Sequence, residues 1–272
     1  MSDPRSAPRA SVAVIGGSGF YEFLDDAREV EVETPYGAPA APVAVGDVGG
    51  VSVAFLPRHG KGHAFPPHLI NYRANLWALA SLGVRQVLAP CAVGGLRPEV
   101  APGDLVVPDQ LVDRTQGRVQ SFVERGAVHV PFADPYCPTL SAAAARAEGV
   151  THGGAMVVVE GPRFSTRAES QHYAAQGWTL INMTGHPEAV LARELRMCYS
   201  AVALVTDMDA GVESGEGVGQ EEVFAMFARN IDRLKALLAG VVADLPEPGA
   251  GCGCASWADG LELPYDIPGG TA

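Results

Sequence analysis

The stretch "SAVALVTDMDAG" occupies residues 200–211. From Ala201 to Val205 it is apolar at every position, and it then finishes on Asp207 and Asp209, two positions apart. Apolar residues at consecutive rather than alternate positions suit a strand covered on both faces, as in the sheets of α/β proteins. Such a strand has little reason to end on two carboxylates unless its end lies where ligands are handled. In open α/β sheets, sites gather at strand ends.

Other runs of the same kind surround it. "SVAVIGG" (11–17), "VSVAFLP" (51–57), "QVLAPCAVGG" (86–95), "DLVVPDQLV" (104–112), "GAMVVVEGP" (154–162) and "LINMTG" (180–185) are apolar, mostly β-branched, and bounded by Gly, Pro or polar residues. Helical patterns lie between them. Residues 66–83 carry Leu69, Tyr72, Leu76 and Leu79 at three- and four-residue spacing, opening on proline and closing on Gly83. Residues 165–177 contain the capping-box pattern Thr166-x-x-Glu169, residues 186–197 place Pro187 in a first turn, and residues 219–243 form the longest amphipathic pattern. Strands alternating with helices predict an α/β fold: a single domain with a central, mixed, largely buried β-sheet flanked by helices, over residues 11–245. Residues 1–10 and the Pro/Gly-rich residues 246–272 are expected to be tails.

The bulk numbers narrow the function. With 272 residues, 47% of them hydrophobic, the chain can bury a sizeable core. A net charge of −12 with only 19 Lys and Arg argues against a nucleic-acid or anionic-membrane surface, though a few Arg can still build a local anion pocket. No apolar run approaches a membrane span and no secretory h-region follows the first residues. Five cysteines are too few for a disulfide scaffold, so a cytoplasmic protein is expected. No His/Cys spacing matches a zinc pattern, so no metal site is expected.

Several strand ends carry chemistry. "IGGSGF" offers Gly-rich backbone N–H groups and the Ser18 hydroxyl, a pattern that suits an anion nest or simply a tight exit from a strand. A dinucleotide fingerprint fails because its third glycine position is Glu22. "PRHGKGH" (57–63) sets Arg58 beside His59: a guanidinium fork and a second donor for phosphate, or a solvated loop. "EGPRF" (160–164) offers Phe164 for stacking on a flat ligand or for the core. In "INMTGHPE" (181–188), Thr184 near a helix N-terminus can help to hold an anion, with Glu188 complementing the helix dipole.

Taken together, "VAVIGGSGF", "RHGKGH", "NYRANLWAL", "EGPRFSTRAES", "NMTGHPEAVLA" and "TDMD" occur in the order seen in trimeric purine nucleoside phosphorylases, and within that family the chain most resembles the 5′-methylthioadenosine phosphorylases, from Ser11 to Leu245. The resemblance implies phosphorolysis: phosphate attacks C1′ of a purine nucleoside, with no metal or organic cofactor. It implies that Ser18, Arg58, His59, Thr184 and the backbone N–H of Ala92 hold phosphate. Phe164, Asn182 and Met183 would flank base and sugar, Val223 and Phe224 line the 5′ side, and His129 reach a neighbouring subunit's site in a homotrimer. Asp207 and Asp209 would face the purine edge. Physics supports that last role, because a carboxyl desolvated at a strand end keeps a proton near neutral pH and can protonate purine N7.

One departure stands out. Relatives carry "TTA" where this chain has Pro90-Cys91-Ala92, so a threonine hydroxyl gives way to a thiol, a weak donor. The resemblance leaves other readings open: a broader purine nucleoside phosphorylase taking adenosine, inosine or 5′-deoxy and 5′-halo adenosines, a 5′-methylthioinosine phosphorylase, a nucleosidase, or a purine-binding module without turnover. For Cys252-Gly253-Cys254, some archaeal relatives pair such cysteines in a disulfide. The composition of the segment instead suggests two solvated thiols on a flexible tail.

Overall fold

The computed structural model describes residues 9–17, 23–212 and 217–269. Ser18, with residues 19–22 that follow it, lies outside the described residues, as do residues 1–8. The described residues form one 11-stranded mixed sheet. Its centre is β1 (Val12–Gly16), β4 (Val51–Pro57), β5 (Gln86–Gly95) and β11 (Cys198–Met208), with β1 parallel to β4 and β5, and β11 parallel to β5. The polar edge strand β2 (Asp25–Val30) and β3 (Val43–Val48) continue from β4 as an antiparallel meander. On the other side come β10 (Leu180–Asn182), β9 (Ala155–Val159) and β7 (Gln110–Arg114), while β6 (Leu105–Val107) and β8 (Val150–His152) extend the sheet from β11.

Alternate residues of the central strands enter opposite cores. Ala13, Ile15, Val87, Ala89, Ala201 and Val205 pack on one face, under α1 (Tyr72–Ser81) and α4 (Gly185–Glu194). Val12, Val14, Leu88, Val202 and Leu204 pack on the other, under α2 (Pro138–Ala145) and α5 (Gln220–Ala243). Burial on both faces is why these strands are apolar at every position. The remaining helix, α3 (Arg167–Ala175), opens with the full capping box that Thr166 and Glu169 predict.

The sheet forks at β5. Its first residues pair with β1, Val12 opposite Gln86 to Val14 opposite Leu88. The same edge then pairs with β10 in the antiparallel sense at Gly94 and Gly95. Among the described residues that edge has no partner strand between Leu88 and Gly94, and a cavity opens against Pro90–Val93.

Four expectations need correction. "DLVVPDQLV" is two strands in different parts of the sheet: Pro108 has no N–H to give to a ladder, so β6 ends at Val107 and β7 starts at Gln110. The helix expected over 66–83 starts only at Tyr72, where the Asn71 side chain accepts from the Ala74 N–H (3.2 Å); Pro67–Leu69 make a separate single turn. Residues 246–269 are not a loose tail. Pro246 O accepts from Gln86 Nε2, Trp257 Nε1 donates to Arg193 O, and Tyr265 Oη donates to Glu194 O. Finally, Cys254 is not a solvated thiol but lies buried, 3% exposed.

Candidate active site

The cavity holds about 420 Å³. It collects Arg58, His59, Ala92, Phe164, Asn182, Met183, Thr184, Asp207, Asp209, Val223 and Phe224 from six stretches of the chain. His129 is not among its lining residues and is exposed on the loop between β7 and α2.

At one end sits Arg58, at the tip of β4 and 2% exposed. Its Nε and one Nη donate to both oxygens of Glu188 (2.5 and 3.1 Å); Nη2 also reaches Ile15 O (2.9 Å) and Nη1 reaches Pro90 O (3.1 Å). Four of the five guanidinium N–H groups are thus used, leaving one on Nη1. Burial alone would lower the Arg58 pKa, but the Glu188 carboxylate outweighs it and holds the charge firmly. Glu188 is completely buried and also accepts from Tyr199 Oη (2.9 Å), so it is the counter-ion of Arg58 rather than a mere complement to the helix dipole.

His59 differs from expectation in kind. Its Nδ1 lies 2.9 Å from Phe65 O, and a carbonyl can only accept, so Nδ1 carries the proton. Burial, aided by Arg58, pushes the ring's pKa down to about 3. Neutral His59 therefore presents a bare Nε2, an acceptor rather than a donor. Its ring stacks on His63 at 4.0 Å, and His63 meets Phe224 edge-on at 6.0 Å.

Asn182 is a bracket. Its Oδ1 accepts from the N–H groups of Thr184 (2.7 Å) and Gly185 (2.6 Å), and its Nδ2 donates to Ala92 O (3.0 Å). The first N–H groups at the start of α4 are therefore occupied; the Thr184 hydroxyl also donates to Asn182 Oδ1 (3.4 Å), and Thr184 lines the cavity. Cys91, 6% exposed, keeps its proton because burial pushes its pKa up to about 12.

At the other end are the two aspartates. The register between β11 and β5 shifts between Val205 and Asp207, and this bulge lets consecutive residues Thr206 and Asp207 both face the cavity. Burial raises the Asp207 pKa to about 6, against a hydrogen bond from Thr206 Oγ1 (2.8 Å). Asp209 is also raised by burial and accepts from Ser170 Oγ (2.6 Å). Gly94 makes room for this end: a Cβ there would come within 2.9 Å of Ile181 Cγ2 and 3.1 Å of Asp207 Oδ1.

Arg118 carries no local sequence signal, yet it ties the site's loops together. It pairs with Glu160 (3.1 Å) and donates to the carbonyls of Met183 (2.9 Å) and His186 (2.6 Å). Cysteine spacing also gave no hint that Cys137, Cys198, Cys252 and Cys254 meet in space, with all four Sγ atoms within 4.8 Å of one another.

Known proteins match most of the length of the chain. The model of the phosphorylase superfamily matches residues 11–243. The chain is 60% identical over 258 residues to the S-methyl-5′-thioadenosine phosphorylase of Mycolicibacterium smegmatis, covering 94% of this chain and 99% of that protein. It is 56% identical over 275 residues to a purine nucleoside phosphorylase of Streptomyces coelicolor, covering 96% and 98%. The methylthioadenosine phosphorylase of Schistosoma mansoni, solved with adenine, superposes with a TM-score of 0.82 at 37% identity, covering 86% of this chain and 91% of that one.

Proposed function

The chain belongs to the phosphorylase superfamily, and we propose that it cleaves 5′-methylthioadenosine with inorganic phosphate, releasing adenine and 5-methylthioribose 1-phosphate. The observation that carries this reading is the pairing, in one cavity, of a cationic end at Arg58 with a carboxyl at Asp207 that remains partly protonated near neutral pH.

A phosphate oxygen forms a bond to C1′ as the C1′–N9 bond breaks. Positive charge on the ribosyl group is stabilised by the phosphate, and the electron pair left on the base is neutralised when Asp207 passes its proton to N7. Arg58, Thr184, the Ala92 N–H and Ser18 hold phosphate; the bare Nε2 of His59 accepts a hydrogen bond from the one remaining O–H of the hydrogen phosphate dianion. Phe164 and Met183 cover base and sugar, with Asn182 fixing the Thr184 turn beneath them. Asp209 receives the 6-amino group. Val223 and Phe224 form an apolar 5′ wall suited to a methylthio group. No organic cofactor enters the scheme. The enzyme is proposed as a cytoplasmic homotrimer in which His129 serves a neighbour's site, a reading supported by its exposure and by the family resemblance; no helix among the described residues is long and apolar enough to cross a membrane.

A second reading, a broader purine nucleoside phosphorylase, draws on the Streptomyces coelicolor relative of that name. Measured kcat/KM for methylthioadenosine, adenosine, methylthioinosine and inosine, each with and without phosphate, separates them. The proposal expects phosphate-dependent release and a preference for methylthioadenosine. Equal turnover of adenosine favours the broader enzyme, a preference for methylthioinosine removes Asp209 as the acceptor of a 6-amino group, and release without phosphate removes both readings.

A further inference from the structure

The strongest unassigned feature lies at the far end of β11 from the cavity. Cys198 opens β11, and Asp207 follows nine residues later, roughly 30 Å along the strand. A backbone bond from the Cys137 N–H to Tyr199 O (2.8 Å) brings Cys137, the residue capping α2, alongside. The C-terminal segment adds Cys252 and Cys254. Cys137, Cys198 and Cys254 are each no more than 3% exposed, and Cys252 is half-buried. None of the four is bridged.

We propose that Cys137, Cys198, Cys252 and Cys254 form a structural tetrathiolate site for one zinc ion, which clips the C-terminal segment to the body of the protein. Four thiolates around zinc at about 2.3 Å place their sulfurs about 3.8 Å apart, at the corners of a tetrahedron. Here Cys198 Sγ and Cys252 Sγ are 3.6 Å apart and all four sulfurs lie within 4.8 Å. The ligand set is all sulfur and closed by protein, the composition of a structural rather than a catalytic zinc centre. The surrounding backbone is shaped for it. The Leu140 N–H points at Cys137 Sγ (3.4 Å), the kind of outer contact that orients a metal thiolate. Gly251, just before the C-x-C pair, has φ +71, and a Cβ there would come within 3.3 Å of Thr139 Oγ1, so the knuckle presses onto α2.

The site also accounts for the order of residues 246–269. That segment contains no strand and no α-helix, yet it buries Cys254 and Ala258. Long stretches without regular structure stay ordered when something staples them. Binding would convert four thiols to thiolates and release their protons, so the clip forms only as the segment closes over α2 and β11.

The test is metal content of the full chain expressed with added zinc and dialysed against EDTA. About one zinc per chain is expected, falling to near zero in the Cys252→Ser/Cys254→Ser variant. Replacement by cobalt is expected to give the intense sulfur-to-cobalt absorption of a tetrathiolate, absent from the variant. The variant should melt at lower temperature while its kcat and KM for methylthioadenosine at 25 °C stay unchanged. Less than a tenth of an equivalent of zinc in the wild type overturns the proposal, whether the four thiols are reduced or an intact mass four daltons lighter shows two disulfides. Zinc retained by the variant overturns it equally. If the variant does not fold, the zinc content and cobalt spectrum of the wild type decide.

Discussion

The Asp207 carboxyl shows what one residue contributes and what it costs. Burial moves it from an ordinary 3.8 to about 6. Because the native pKa is raised, the carboxyl's contribution to stability is complete below 3.8 and is lost as pH rises through about 6. Ionised at pH 8, it costs up to about 3 kcal/mol of native stability. Asp207→Asn should therefore be more stable than the wild type at pH 8, with the difference shrinking towards pH 4, as thermal unfolding across that range will show. The same variant should lose about 10²- to 10⁴-fold in methylthioadenosine cleavage, the usual worth of a general acid. The wild-type decline of kcat/KM above about pH 6 should be missing from it. Cys91 offers the reverse test. Its protonated thiol is a weak donor at the proposed phosphate end, so Cys91→Thr should lower the KM for phosphate by roughly 2- to 10-fold, the worth of one ordinary hydrogen bond. An unchanged KM would mean that the backbone and Thr184 already saturate that side. Of these residues, the two aspartates were visible in the sequence because a polar pair at the end of an apolar run is a local signal. The acceptor character of His59 was not, since it depends on a carbonyl six residues away that only the folded loop supplies.

At the scale of elements, the central strands were legible because burial on both faces leaves a continuous apolar run. The polar edge strand β2, exposed along most of its length, leaves no such trace. Charged edges of this kind discourage pairing with other chains. The fork in the sheet was hidden too, because pairing choices at β5 are settled by β1 and β10, far apart in sequence. The partnership of α4 with the tip of β4 was hidden for the same reason, Arg58 and Glu188 being separated by 130 positions. That pair allows a decision by magnitude. A residue that only complements a helix dipole is worth about 0.3–1 kcal/mol. Removing one partner of a buried ion pair costs about 3–5 kcal/mol, because the other charge is left unpaired. Glu188→Gln should fall in the second range in urea denaturation, and its phosphate KM should rise as Arg58 loses its fixed position. A cost below 1 kcal/mol would return Glu188 to the helix-dipole role.

For the molecule as a whole, the sequence pattern conveyed the layered α/β plan but misjudged where the chain stops being structured. Composition alone marked residues 246–269 as loose, whereas contacts to Gln86, Arg193 and Glu194 hold them in place. What a single chain supplies to its own cavity also bears on assembly. Val223 and Phe224, at the start of α5, line the cavity as its proposed 5′ wall, and Phe224 remains 48% exposed. An aromatic left half in water at the proposed 5′ wall suits a site completed by another subunit. His129, exposed on the loop between β7 and α2, is the side chain proposed to complete it. If so, wild-type protein should sediment as a trimer at concentrations where it is active, and dilution into monomers should raise the KM for methylthioadenosine. His129→Ala should leave unfolding of the chain within about 0.5 kcal/mol of the wild type, as expected for an exposed position. Its KM for methylthioadenosine should nevertheless rise, with a smaller effect on adenosine if the histidine contacts the 5′ substituent. A monomer with full activity, or a His129→Ala enzyme whose KM values are unchanged, would show that each chain closes its own site.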